Sequence, residues 1–85
     1  MEKFTYTIKD TQGIHARPAG MLVKEAKKYE SRITLSKNGK TAEAAKLIAV
    51  MSLGVKCGET VEITVSGTDE TKVCKAMAEF FEKNL

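Results

Sequence analysis

Residues 32–42, with the sequence RITLSKNGKTA, contain the clearest indication of architecture in this chain of 85 residues. Ile33 and Leu35 alternate with polar residues, which is typical of a strand with one buried face. The dipeptide Asn38-Gly39 follows them, and both central residues of a type I′ turn require positive φ angles. The segment therefore predicts a tight hairpin whose short second strand, at 40–42, returns antiparallel to the first.

Two further strands and three helices are predicted on either side of this hairpin. Residues 4–8 and 61–65 alternate apolar and polar side chains, whereas three other segments repeat apolar residues every three or four positions. The first predicted helix runs from Ala16 to about Lys28. The second is marked by the apolar residues Ala44, Leu47, Ile48 and Met51 and is expected to end at a C′ glycine, Gly54. The third follows capping side chains within 67–70 and is marked by the apolar residues Val73, Ala76, Met77, Phe80 and Phe81. The prediction is one α+β domain over residues 1–85, ordered β-α-β-β-α-β-α, with helices on the apolar face of an antiparallel sheet.

The composition and charge of the chain argue against several classes of protein. Hydrophobic residues make up 42% and charged residues 29%, which is typical of a globular domain. The net charge of +3 is too small to argue for nucleic-acid binding. The longest apolar run, 47–51, and the alternating N-terminus match neither a membrane span nor a signal peptide, so we expect no membrane insertion and a cytoplasmic location.

Cys57 and Cys74 are expected to be reduced and structural, and no cysteine–histidine cluster suggests a metal site.

A second informative segment is 13–19, with the sequence GIHARPA, which contains the only histidine and the only proline of the chain. Pro18 has no N–H group, so it is suited to the first turn of a helix, where that donor would have no partner. Arg17 precedes a proline and is therefore biased away from helical geometry, which would loosen the opening turn. These features predict that His15 lies at or next to the N-cap.

This predicted helix start is typical of an anion-binding site. The N–H groups of Ala16 and Arg17 are expected to face outward, and the helix dipole favours negative charge there. The Arg17 guanidinium matches phosphate oxygens, and the His15 imidazole is a nucleophile that could accept a phosphoryl group. The simpler alternative is that His15 is only a capping or surface residue.

The segment 13–19 resembles the active-site motif of the HPr family, the histidine-containing phosphocarriers of the bacterial phosphoenolpyruvate–sugar phosphotransferase system. Residues 38–40 and 50–54 also resemble this family's hairpin and second helix at the expected spacing. The resemblance implies an open-faced β-sandwich with a four-stranded antiparallel sheet covered on one face by three helices. It implies that His15 accepts phosphate on Nδ1 from enzyme I and passes it to the IIA domain of a sugar permease, while Arg17 steadies the phosphoryl group. Such a chain needs no metal or cofactor and is a substrate of enzyme I rather than a stand-alone enzyme.

A basic surface is predicted on the first helix. Arg17 is followed at intervals of three and four residues by Gly20 or Met21, then Lys24, then Lys27 or Lys28, so these residues share one helix face. Such a face suits acidic surfaces on enzyme I and IIA. The alternative is an ordinary solvated face.

The second helix is expected to carry an apolar docking patch. The family resemblance implies that Leu47, Ile48 and Met51 are exposed beside the active site. Ile48 departs from the methionine that is common in the family, and its similar apolar character should preserve docking. The alternative for each residue is burial in the core.

The same resemblance places Lys46 at the position where Gram-positive members of the family carry a regulatory serine. The resemblance therefore implies that phosphorylation by the dedicated serine kinase is lost, because Thr41 and Ser52 do not reproduce that position. Two other roles stay open: a regulatory binding module that docks on other proteins, and a carrier for a non-sugar branch of the system. A monomer is expected.

Overall fold

The computed structural model describes residues 1–85 and contains four strands and three helices in the predicted order. The elements are β1 (Glu2–Thr7), α1 (Ala16–Ala26), β2 (Arg32–Lys37), β3 (Lys40–Glu43), α2 (Leu47–Ser52), β4 (Thr60–Ser66) and α3 (Glu70–Asn84). The predicted α+β class and its element order are confirmed. None of the helices is long and apolar enough to cross a lipid bilayer.

The four strands form one antiparallel sheet with the order β1-β4-β2-β3. Ile63 in the centre of β4 faces Phe4 of β1 on one side and Leu35 of β2 on the other. Because side chains of a strand alternate between faces, this register aligns the apolar residues of neighbouring strands on one face of the sheet. That face carries the helices.

The turn between β2 and β3 has the geometry that its sequence predicts. Asn38 has a φ of 49° and Gly39 a φ of 82°, so both central residues are left-handed. Lys37 pairs directly with Lys40 across the turn. The hairpin is confirmed, and asparagine and glycine are the residues that adopt this conformation most easily.

The core lies between the sheet and the inner faces of the helices. Leu22 of α1 and Phe81 of α3 are completely buried. The Phe81 ring packs edge-on against Phe4, with centroids 5.9 Å apart, and against Tyr6 at 5.6 Å. These contacts hold the C-terminal half of α3 on β1, which places its last turn near the start of α1.

Two helix boundaries differ from the predicted ones. The first helix ends at Ala26, and Lys27 is its C-cap. The second begins only at Leu47, so Ala44 lies outside it, although Ala44 is completely buried. The N–H group of Ala44 donates to the Ile33 carbonyl at 2.8 Å, so its burial reflects continued pairing with β2 rather than a helical repeat. Gly54 has a φ of 60° directly after the C-cap Leu53, as expected of a C′ glycine.

The predicted side-chain capping of α3 is wrong. Asp69 occupies the N-cap position, but its side chain makes no capping hydrogen bond. Its carboxylate instead accepts a hydrogen bond from the hydroxyl of the buried Ser31, which lowers the pKa of Asp69. A carboxylate of Glu70 reaches back to the Gly67 N–H at 3.2 Å. A long-range partner therefore takes the side chain that local rules assign to the cap.

Candidate functional site

His15 is the N-cap of α1, and its side chain is available for chemistry. The backbone is extended there, with φ −91° and ψ −176°, and its carbonyl accepts the Ala19 N–H at 2.9 Å. The imidazole makes no capping hydrogen bond and is 35% exposed. The structure therefore gives the His15 ring no capping role.

Gly13 fixes the loop that leads into His15. It has a φ of 69°, and a Cβ atom there would overlap the Val55 carbonyl oxygen and lie 2.7 Å from the Lys56 Cα. The next residue, Ile14, is buried and donates its N–H to the same Val55 carbonyl at 3.0 Å. Glycine is therefore required by both the backbone angle and the close approach, and the contact anchors the residue preceding His15.

The first turn of α1 presents two free N–H donors. Neither Ala16 nor Arg17 donates its N–H to a backbone or side-chain acceptor of the chain. Pro18 has no N–H, and the first engaged donor is that of Ala19. Arg17 is nevertheless helical, so the expected loosening of this turn by Pro18 is absent. Two N–H groups without an acceptor, at the positive end of a helix dipole, can bind an anion.

A cleft of about 290 Å³ opens beside this helix start. It is lined by Asp10, His15, Arg17, Pro18, Met21, Lys83 and Asn84. The cations Arg17 and Lys83 form no ion pair within the chain, so neither is neutralised by a carboxylate. The cleft therefore offers two cations to a dianionic group, next to the helix start whose first two N–H groups have no acceptor in the chain.

Three cleft residues have no counterpart in the predicted site. Lys83 and Asn84 come from the last turn of α3, and Asp10 comes from the loop after β1. The Asp10 Oδ1 lies 3.6 Å from the His15 Nε2. No local signal marks Lys83 or Asn84, because the packing of α3 on β1 brings them there. Asp10 is only five residues from His15, so its proximity was a weak signal in the sequence.

The predicted basic surface is exposed on α1. Gly20, Lys24 and Lys27 are all exposed, and neither lysine forms an ion pair. Lys28 differs, because its ammonium lies 3.1 Å from Glu25. The positive charges that no carboxylate pairs with are therefore those of Arg17, Lys24 and Lys27, on one helix face.

The second helix divides into a buried and an exposed side. Val50 is fully buried, whereas Ile48 is 76% exposed and Leu47 and Met51 are each 40% exposed. The alternative of burial therefore fails for these three residues. Isolated exposed apolar residues are common, but three on one short helix form an apolar patch of the kind seen at protein-binding surfaces.

Lys46 is the N-cap of α2 and is strongly exposed. Its ammonium lies 3.4 Å from Glu43, which also pairs with Arg32 at 3.1 Å. Ser52 lies at the other end of the helix, where its hydroxyl donates to the Ile48 carbonyl at 2.7 Å. The structure therefore places no serine or threonine hydroxyl at this helix start.

The two cysteines lie apart from the cleft as free thiols. Cys57 is exposed, and partial burial raises the pKa of Cys74. No group of three or more histidine, cysteine, aspartate or glutamate side chains could hold a metal ion.

Comparison with known proteins relates this site to one family. Residues 2–83 match the family described as "PTS HPr component phosphorylation site". Among solved structures, HPr of Thermoanaerobacter tengcongensis has 37% identity and a TM-score of 0.93, with 99% of this chain and 94% of that chain covered. The histidine-containing phosphocarrier protein of a mycoplasma has 34% identity and a TM-score of 0.92, with coverages of 96% and 93%.

A third relative carries a different description. Crh, the catabolite repression containing protein of Bacillus subtilis, has 29% identity and a TM-score of 0.78, with 100% of this chain and 98% of that chain covered, and is described as a domain-swapped dimer. The family match and the two phosphocarriers above 30% identity cover nearly the whole chain. This chain therefore belongs to the HPr family of phosphocarriers of the phosphotransferase system.

Proposed function

We propose that residues 1–85 act as one phosphocarrier domain, in which His15 accepts a phosphoryl group from phosphorylated enzyme I and passes it to IIA domains of sugar permeases. Members of the HPr family are carriers and not stand-alone enzymes. The observation that carries the proposal is that the His15 ring makes no capping hydrogen bond and belongs to the residue before two free N–H donors, in a cleft that also contains the unpaired Arg17. Phosphoenolpyruvate-driven transfer of this kind would take place in the cytoplasm.

The chemistry needs a nucleophile and a site for a dianion. The lone pair of His15 Nδ1 forms the N–P bond while the bond between phosphorus and the donor nitrogen breaks, and the donor keeps that electron pair. The Ala16 and Arg17 N–H groups and the Arg17 guanidinium stabilise the charge on the phosphoryl oxygens. The reverse displacement delivers the group to the acceptor, so the chain supplies positioning and charge and uses no cofactor.

Two surfaces of the chain support docking of acidic, partly apolar partners. Gly20, Lys24 and Lys27 extend the positive charge of the cleft along α1, and this charge would raise association rates. The exposed apolar residues Leu47, Ile48 and Met51 would provide the desolvated part of the contact. Both enzyme I and IIA would use these surfaces in turn, and the carrier would act as a monomer.

A regulatory module is the second candidate function, favoured by the 29% identity with Crh. Regulation by serine phosphorylation at the start of α2 would be lost, because Lys46 has no hydroxyl and carries the opposite charge. A protein that acted only by docking would need neither an available His15 nor an unpaired Arg17. Retention of both favours the carrier, including a carrier for a non-sugar branch.

Incubation with enzyme I and phosphoenolpyruvate tests the carrier function directly. We expect a gain of one phosphoryl mass on the intact chain, labile in acid and absent from His15→Ala. The variant should keep its melting temperature, because the His15 side chain makes no capping bond. The proposal is overturned if the chain gains no mass with an enzyme I that phosphorylates another HPr. A large drop in the melting temperature of His15→Ala would instead give the histidine a structural role.

A further inference from the structure

Asp10 is the one carboxylate in the cleft that contains His15. The other charged side chains that line the cleft are Arg17 from α1 and Lys83 from α3, and both are cations. The Asp10 Oδ1 lies 3.6 Å from the His15 Nε2. Both side chains are partly buried, with 28% of Asp10 and 35% of His15 exposed, so the contact is not fully screened by water.

The backbone and side chain of Asp10 are held in place by three hydrogen bonds. Its N–H donates to the main-chain oxygen of Leu85 at 2.9 Å, and its carbonyl accepts the Gly13 N–H at 2.9 Å. Its Oδ1, the same atom that faces His15, accepts the Gln12 N–H at 2.9 Å. The carboxylate is therefore fixed before the imidazole contacts it, and little side-chain entropy is lost in forming the contact.

The placement of a carboxylate at Nε2 has a consequence for the other ring nitrogen. A neutral imidazole carries its proton on one nitrogen and its lone pair on the other. A negative charge beside Nε2 favours the form with the proton on Nε2, which leaves the lone pair on Nδ1. Because Nδ1 is bonded to Cγ, it is the ring nitrogen nearer the main chain, in the residue that directly precedes the free N–H groups of Ala16 and Arg17.

We propose that Asp10 is a positioning residue for His15: it orients the imidazole through Nε2 so that Nδ1 is the nucleophile, and it offsets the charge of the phosphorylated ring. The inference rests on the proposed carrier function. When Nδ1 forms its bond to phosphorus and the donor nitrogen leaves with its electron pair, Nε2 keeps its proton. The ring then becomes a cation, and Asp10 is the anion beside it.

The test compares Asp10→Asn with the unmodified chain. Asparagine keeps an oxygen for the Gln12 N–H and removes the charge, and Asp10→Ser is a second variant that keeps an acceptor if the first misfolds. Glu30→Gln is the matched control, because Glu30 is exposed, makes no ion pair and lies beyond the opposite end of α1. Thermal melts are used to check that each variant is folded.

The first readout is the imidazole tautomer, measured from ¹⁵N chemical shifts of labelled histidine at about pH 8.5, where an ordinary histidine is neutral. We expect the ratio of the Nε2–H form to the Nδ1–H form to fall about two- to fivefold in Asp10→Asn and to stay unchanged in Glu30→Gln. The second readout is the rate of phosphorylation by enzyme I, which we expect to fall by a similar factor in Asp10→Asn only.

These readouts separate the two proposals. An unchanged tautomer ratio in both Asp10 variants overturns the positioning role, whether or not the chain is phosphorylated. A shifted ratio with an unchanged phosphorylation rate overturns it as well. If the unmodified chain is never phosphorylated, the carrier function fails, and with it the role of Asp10 in phosphoryl transfer.

Discussion

Gly13 and Val55 are in such close contact that no side chain fits between them. The Val55 carbonyl occupies the position of a Gly13 Cβ, and the same carbonyl accepts the Ile14 N–H. A bend in one loop thereby locks the backbone that precedes His15 against the segment after α2. The backbone position of His15 is thus linked to a contact between residues 42 positions apart in the sequence.

Gly13→Ala should destabilise the fold and slow phosphorylation. The positive φ and the overlap with Val55 together should lower the free energy of unfolding by about 2–4 kcal/mol. Gly39→Ala is the control, because Gly39 also has a positive φ but has open space around its Cβ position, so about 1 kcal/mol is expected. Urea unfolding gives the free energy of unfolding of both variants. Equal decreases in Gly13→Ala and Gly39→Ala would show that the Val55 contact adds nothing.

Lys24→Glu should reduce the association rate with enzyme I about three- to tenfold at low ionic strength. The reason is that Lys24 is exposed and unpaired on the helix that begins at the cleft. Lys72→Glu makes the same charge change in the first turn of α3, whose last turn borders the cleft, and should have a smaller effect. Stopped-flow measurements at low and high salt give the association rate of each variant with enzyme I. Equal rates for the two variants at low salt would refute the basic docking surface.

Ile48→Ser should weaken binding to enzyme I while leaving the fold intact. Ile48 is 76% exposed, so we expect a stability change within about 0.5 kcal/mol and a loss of about 1–2 kcal/mol in binding. Val50→Ala on the buried side of α2 should do the reverse and cost about 2 kcal/mol of stability. Calorimetric titration and thermal melts separate the two effects, and unchanged affinity of Ile48→Ser would remove this residue from the docking patch.

The unmodified chain should not be labelled by an ATP-dependent serine kinase of the HPr system, whereas Lys46→Ser should be. Serine at this N-cap would provide the missing hydroxyl and stabilise α2 by about 0.5–1 kcal/mol. Loss of the exposed contact with Glu43 costs little. Lys46→Ala serves as a control that removes the charge without adding a hydroxyl. Label on Thr41 or Ser52 of the unmodified chain would contradict the prediction.

The hydrogen bond from Ser31 to Asp69 should make stability depend on pH in the acid range. The bond lowers the pKa of the folded Asp69 below its ordinary value of 3.8, so the unfolded chain binds more protons there. The contribution is therefore present above about pH 3.8 and is lost as the pH falls through the folded pKa. The melting temperature of Ser31→Ala should fall less steeply below pH 3.8 than that of the unmodified chain. Ser66→Ala, at an exposed position without a side-chain hydrogen bond, is the control, and parallel curves for all three proteins would refute the assignment.

The features that depend on neighbours within a few residues could be predicted from the sequence. Alternation predicted the strands, Asn38-Gly39 predicted the left-handed turn, and Pro18 placed His15 at a helix start. These features follow from backbone angles and from which face of an element is apolar. The same local rules predicted that the N–H groups of Ala16 and Arg17 have no acceptor within the chain.

The features that need two distant segments could not be predicted from local patterns and depend on how the chain folds. Periodicity alone could not separate the exposed Ile48 from the buried Val50, because a short helix is apolar on more than one side. The Asp69 carboxylate accepts the Ser31 hydroxyl instead of capping α3, and the packing of α3 on β1 brings Lys83 into the cleft. In each case the physical reason is that burial, hydrogen bonding or entry into the cleft depends on segments far apart in the sequence, which only chain folding brings together.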